Sequence, residues 1–201
     1  MFGLFNNKLP DCNDLFVKYL SPWYPDDEKP VMIRPDVYEL DGAEGKPFDM
    51  NDIQYLTDEW QITTKEQIQV ITEAALGDFQ DIIKSDKLDL RLLDAVDKFY
   101  DRKRIAEMIK NSDPTDFSNE YLVTVCELGA TIGQLFVEKE GFGWLYSYPY
   151  FHSIIVHADT GLGITVFDWA VKKFSEYGVE DGCVDKFNGA LFAVEKHPGE
   201  E

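Results

Sequence analysis

Hydrophobic and polar positions fall most regularly between Tyr121 and Trp144, in YLVTVCELGATIGQLFVEKEGFGW. Polar residues stand at Glu120, Thr124, Glu127, Thr131, Gln134 and Glu138. The spacing alternates four and three, which lines them up as one stripe along a helix. Tyr121, Leu122, Val125, Cys126, Leu128, Ile132, Leu135 and Phe136 fill the remaining surface. A helix that is apolar around most of its circumference is buried. The pattern therefore predicts a central helix that touches solvent only along the polar stripe. Asp116, Ser118 and Asn119 stand just before it and supply acceptors for the free N–H groups of a first turn. Gly141 and Gly143 end it, and Trp144 opens an extended segment.

The same reading places the other elements. Residues 1–50 form an extended, irregular arm interrupted by Pro22, Pro25, Pro30 and Pro35. Within it lie a short helix over Asp14–Leu20 and short strands at Val31–Arg34 and Val37–Leu40. Trp23 and Tyr24 hold the arm to the core. Residues 51–140 are the helical part. Ile53, Leu56 and Trp60 mark a short amphipathic helix, and Thr63 or Thr64 caps the next, with Glu66 and Gln67 near the capping-box position. That helix runs to about Ser85 through Ile68, Ile71, Ala75, Phe79 and Ile82. Gly77 lies inside it and suggests the close approach of a neighbour. A further helix spans Leu88 to Lys110, and Asp113-Pro114 breaks the chain before the central helix.

Residues 141–195 carry a three-stranded antiparallel meander and two helices. The strands are Trp144–Tyr148, Ser153–Ala158 and Leu162–Val166, with a turn at Asp159-Thr160-Gly161. The helices carry Phe167 to Tyr177, closed by Gly178, and Val184 to Val194. The fold class is α+β, in a single domain spanning 1–201.

Charge narrows the function. The chain has 38 acidic against 19 basic residues, a formal net charge of −19. That balance opposes nucleic-acid binding and anionic membrane surfaces, both of which need a basic footprint. It suits a basic protein partner, divalent cations or plain solubility. Cys12, Cys126 and Cys183 are odd in number and lack metal-ligand spacing, which points to reduced thiols and a cytoplasmic location. The first residues lack a signal-peptide pattern, and no window reaches the roughly 18 apolar residues of a spanning helix.

Leu128-Gly129, Gly133, Phe136, Gly141 and Trp144, followed by the meander and Phe167, resemble a pattern of uncharacterised bacterial domains. Some similar domains are immunity proteins of contact-dependent toxin systems. The resemblance covers about residues 116–178. It implies a fold and protein binding, and it transfers no catalytic residue.

Candidate chemistry is sparse. Gly129 and Gly133 share one helix face and predict close packing there. Cys126 lies on that face, and a nucleophile there would need an activating base such as His152 or His157. Asp94, Asp97 and Asp101 form an acidic stripe, flanked by Lys98 and Arg102, that could meet a basic partner. Trp144, Tyr146 and Tyr148 alternate onto one sheet face, and exposed aromatics of that kind anchor interfaces. These six residues are the candidate binding surface. Glu127, His152, His157 and Asp159 are the alternative, as the lining of a pocket between meander and central helix. No cofactor motif or catalytic set is present. A metal site needs at least three converging ligands, and His157 with Asp159 offers two. The leading expectation is a non-enzymatic protein-binding domain, immunity-like or regulatory. A small-ligand binder or hydrolase-like enzyme comes second, and a structural domain with no dedicated site third.

Overall fold

A computed structural model describes residues 8–40, 58–83 and 88–196. These residues form seven helices and one antiparallel sheet, so the protein is α+β. The elements in chain order are α1 (Cys12–Tyr19), β1 (Val37–Glu39), α2 (Asp58–Ile83), α3 (Leu90–Phe99), α4 (Arg102–Asn111), α5 (Glu120–Val137), β2 (Phe142–Leu145), β3 (Ile154–His157), β4 (Leu162–Ile164), α6 (Val166–Lys173) and α7 (Cys183–Lys196).

The central helix α5 starts where its side chains can cap it. The Asn119 Oδ1 accepts from the Leu122 N–H at 2.9 Å, and the Ser112 Oγ accepts from the Tyr121 N–H at 2.9 Å. Both satisfy donors that a first helical turn leaves free. By length and hydropathy α5 could cross a membrane, but 78% of it is buried inside the fold. The expected solvent stripe is itself largely covered: Thr124, Glu127 and Thr131 are buried, while Val123 is 36% exposed. The reason is α2, which packs along α5. Asp78 of α2 bonds the Glu127 carboxyl, and Tyr100 bonds Thr124.

The two helix glycines are explained by aromatic rings. A Cβ on Gly129 would lie 2.5 Å from the Phe167 Cδ1 and 2.9 Å from the Phe167 Cα, at the start of α6. A Cβ on Gly133 would lie 2.2 Å from the Trp144 indole. Gly77 differs, because nothing stands within 4 Å of its missing Cβ. Among the described residues no neighbour needs that glycine.

Four local expectations change. Helix α2 is already helical at Asp58, so Thr63 and Thr64 lie inside it rather than at its cap. Ile53 and Leu56 lie outside the described residues. The single helix expected over Leu88–Lys110 is two, broken at Tyr100 and Asp101. There Asp101 turns extended and accepts from the Arg104 N–H at 2.9 Å, starting α4. The sheet has four strands, not three, in the order β1-β4-β3-β2. Val37, Tyr38 and Glu39 pair with Ile164, Gly163 and Leu162. Strand β4 would otherwise leave a row of unpaired backbone groups, and β1 satisfies them. Val31–Arg34, expected as a strand, has no regular structure.

The stretch expected as an arm supplies more than a covering. Leu15, Phe16, Tyr19 and Leu20 of the α1 region are buried in the main core, beside residues of α5, α6 and α7. Ile155 and Ile164 point from the sheet into that core. Ile154 and Val156 point to the opposite face, where Leu40 covers them.

Candidate functional site

Helix α2 presents Glu66, Gln67, Val70, Ile71 and Ala74 along one face, at helical spacing. Opposite stand Leu122, Val123, Cys126 and Glu127 of α5, with Phe117 and Ser118 just before that helix and Tyr150 closing the end. Together they enclose a groove of about 500 Å³. Its walls are largely apolar, and its polar groups are those of Glu66, Gln67, Ser118, Cys126, Glu127 and Tyr150.

Glu127 is 6% exposed. Burial pushes its carboxyl up to about 8, and the hydrogen bond and charge of Asp78 push in the same direction. The group is therefore mostly a neutral acid at pH 7, donating to Asp78. Burial also holds the Cys126 thiol up at about 12, although the Tyr150 hydroxyl donates to its sulfur. A thiol in that state is not a nucleophile at neutral pH. The rings of His152 and His157, expected as possible bases for it, have other partners, the Tyr24 hydroxyl and the Thr160 Oγ1. Tyr150 is buried and its hydroxyl is held above the ordinary tyrosine range.

A second cleft, of about 340 Å³, opens between other faces of the same helices. Lys65, Gln69, Thr72 and Glu73 of α2, Gln134 of α5, and Trp144 and Tyr146 line it. The rings of Trp144 and Tyr146 are nearly parallel, 6.3 Å apart. Trp144 also packs into the core against Gly133 and Phe167. Tyr148 does not join this lining. It lies beyond the end of β2 and is 41% exposed.

The three aspartates of the expected acidic stripe do three different things. Asp94 pairs with Lys98 at 2.5 Å on the surface. Asp97 accepts from the Cys183 N–H at 2.8 Å and pairs with the buried Lys173 at 2.8 Å. Asp101 caps α4. They do not form one open face, because the helix break at Tyr100 turns Asp101 away and α7 docks on Asp97. Arg102 pairs with Glu176 and Glu180 instead of the stripe.

The alternative pocket set is not brought together either. Glu127 lines the α2–α5 groove. The His152 Nδ1 lies 3.0 Å from the Tyr24 hydroxyl, and its carbonyl accepts from the Arg34 Nη1 at 2.8 Å. Burial, then the Arg34 charge, pushes this imidazole down to about 4. His157 rests on the Phe142 ring and lies 3.1 Å from the Thr160 Oγ1. Asp159 is exposed in the turn between β3 and β4. Among the described residues no three His, Cys, Asp or Glu side chains converge as metal ligands do.

Buried charge elsewhere is paired. The Arg34 Nε meets Asp168 at 2.6 Å, and Lys172 and Lys186 both meet Asp36. These pairs tie the N-terminal segment to α6 and α7, a structural role. Phe117 and Tyr150 belong to the groove, but no local signal assigned them to it, since only the packing of α2 on α5 assembles it. Comparison with family models, with curated proteins and with solved structures finds no match to the chain.

Proposed function

We propose that the chain is a binding protein whose α2–α5 groove holds a small, largely apolar molecule. The observation that supports this is a groove of about 500 Å³ with apolar walls and one buried, neutral carboxyl among its few polar groups. Small-molecule sites typically measure about 300–1,000 Å³ and combine apolar lining with a few polar groups and a perturbed titration. No catalytic step is assigned, because burial keeps the Cys126 thiol protonated. The test is titration with Nile red, a neutral apolar dye that brightens when buried. One dye per chain should bind, and Ala74→Trp, which fills the groove from α2, should weaken it about tenfold, a loss of about 1.4 kcal/mol. Undiminished binding by that variant would sink the reading.

A second reading is a partner protein, immunity-like or regulatory, laid over the same groove. It is favoured by apolar side chains exposed at the rim: Val70 at 63%, Phe117 at 44% and Val123 at 36%. The net charge of −19 suits a basic partner. On this reading a partner captured by the tagged chain is lost with Val70→Glu and retained with Asp94→Asn. Capture that ignores Val70→Glu would place any partner elsewhere.

A further inference from the structure

A purely apolar occupant would leave Glu127 unused. Two carboxyl groups in hydrogen-bond contact need a proton between them, because two carboxylates repel. Glu127 and Asp78 are in that relation. Glu66 lines the same groove. Among the described residues no ion pair involves Glu66, Asp78 or Glu127. Asp168 is the contrast: it is as deeply buried as Glu127, and Arg34 neutralises it. At Glu127 a proton occupies the place a cation takes at Asp168. The rings of Phe117 and Tyr150 line the groove as well, and aromatic faces attract cations.

Resting on the reading of the groove as a small-molecule site, we infer that its ligand is an amine cation with an apolar body. The ammonium group sits at Glu127, whose carboxyl Asp78 bonds from outside the lining, and the apolar body lies along Val70, Ile71 and Leu122. The exchange balances simply: the ammonium arrives charged, Glu127 ionises, and its proton leaves to solvent.

The groups facing Glu127 decide the pH dependence. They are Asp78 from α2, Tyr100 from the end of α3, Cys126 from α5, and Tyr150, while Glu120 acts on Tyr100. Glu66 faces the groove from α2. Burial holds the Tyr100, Tyr150 and Cys126 groups above their ordinary values, so they stay neutral below pH 9. Glu127, pushed up to about 8, is the group whose ionisation the cation must drive.

The experiment is calorimetric titration of the full chain with n-octylamine, 1-octanol and sodium octanoate, in two buffers of different ionisation heat, from pH 6 to 8.5. The amine should bind about tenfold more tightly than the alcohol at pH 8, and octanoate most weakly. About one proton should be released per amine at pH 6.5, and amine affinity should rise about tenfold per pH unit up to pH 7.5 and level off above about 8. Glu127→Gln should lower amine affinity about tenfold and spare the alcohol, and Asp94→Asn, a surface acid, should change neither. If Glu127→Gln does not fold, Asp78→Asn takes its place, with the same loss expected. Equal binding of amine and alcohol, or amine binding without proton release, overturns the cation inference and leaves the groove reading intact. Equal loss in Asp94→Asn overturns it as well, by showing diffuse attraction to an acidic protein. Binding of none of the three overturns both.

Discussion

Glu127 is the residue whose chemistry the fold changes most. Its carboxyl moves from 4.5 up to about 8 through burial and the bond to Asp78. Between those values the folded chain holds a proton that the unfolded chain gives up. Stability from this group is therefore fully present below about pH 4.5 and is lost as pH rises toward about 8. Glutamine mimics the neutral acid at every pH. Glu127→Gln should match the natural chain near pH 5 and exceed it at pH 8 by about 2 kcal/mol, a figure already discounted for water entering the groove. Urea unfolding at the two pH values checks this, and a difference that does not change with pH would refute it. His152 titrates in the opposite sense, losing stability as pH falls from 6.5 toward about 4. It is common to both proteins and cancels in the comparison. At this scale the sequence placed Glu127 on a helix stripe and read it as facing solvent. Periodicity shows which residues share a face, but not which face another helix covers.

Among the elements, α2 and α5 show how unequal three helix glycines can be. In α2, Gly77 has open space where its Cβ would stand. In α5, Gly129 and Gly133 are covered by Phe167 and Trp144. Gly77→Ala should raise stability by about 1 kcal/mol, the ordinary cost of glycine within a helix. Gly133→Ala should lower it by about 1–3 kcal/mol, because the indole must move. Thermal unfolding of the two variants checks both signs, and a stabilising Gly133→Ala would show that Trp144 yields freely. The α5 glycines were legible as a site of close packing, since two glycines on one helix face need a reason. Gly77 was read the same way, and the structure removes the reason. The break between α3 and α4 was not anticipated, because the apolar positions from Leu92 to Ile109 continue in helical period across it. Asp101 can act as a helix cap only once the chain has turned.

Across the whole molecule, the N-terminal segment and the C-terminal half share one core. Phe16 is 1% exposed and lies in the same cluster as Phe136, Phe167 and Phe187. The carbonyl of Pro10 accepts from the Glu176 N–H at 3.0 Å, and β1 pairs with β4. Phe16→Ala should therefore cost about 3–5 kcal/mol and leave a single unfolding transition, rather than freeing the first 40 residues alone. Far-ultraviolet and aromatic-region circular dichroism should give coincident curves. An early transition confined to one signal would show a separable arm. The sequence by itself determined the α+β class, the central helix and its cap, the meander, and the glycine and aromatic residues that pack together. All of these depend on neighbours a few positions apart, where periodicity and turn chemistry act. Tertiary structure alone decided that β1 joins the sheet, that Asp94, Asp97 and Asp101 part company, and that Glu127 meets Asp78 and lines a groove. Those outcomes depend on segments tens of residues apart, and no local pattern records which of the available surfaces will meet.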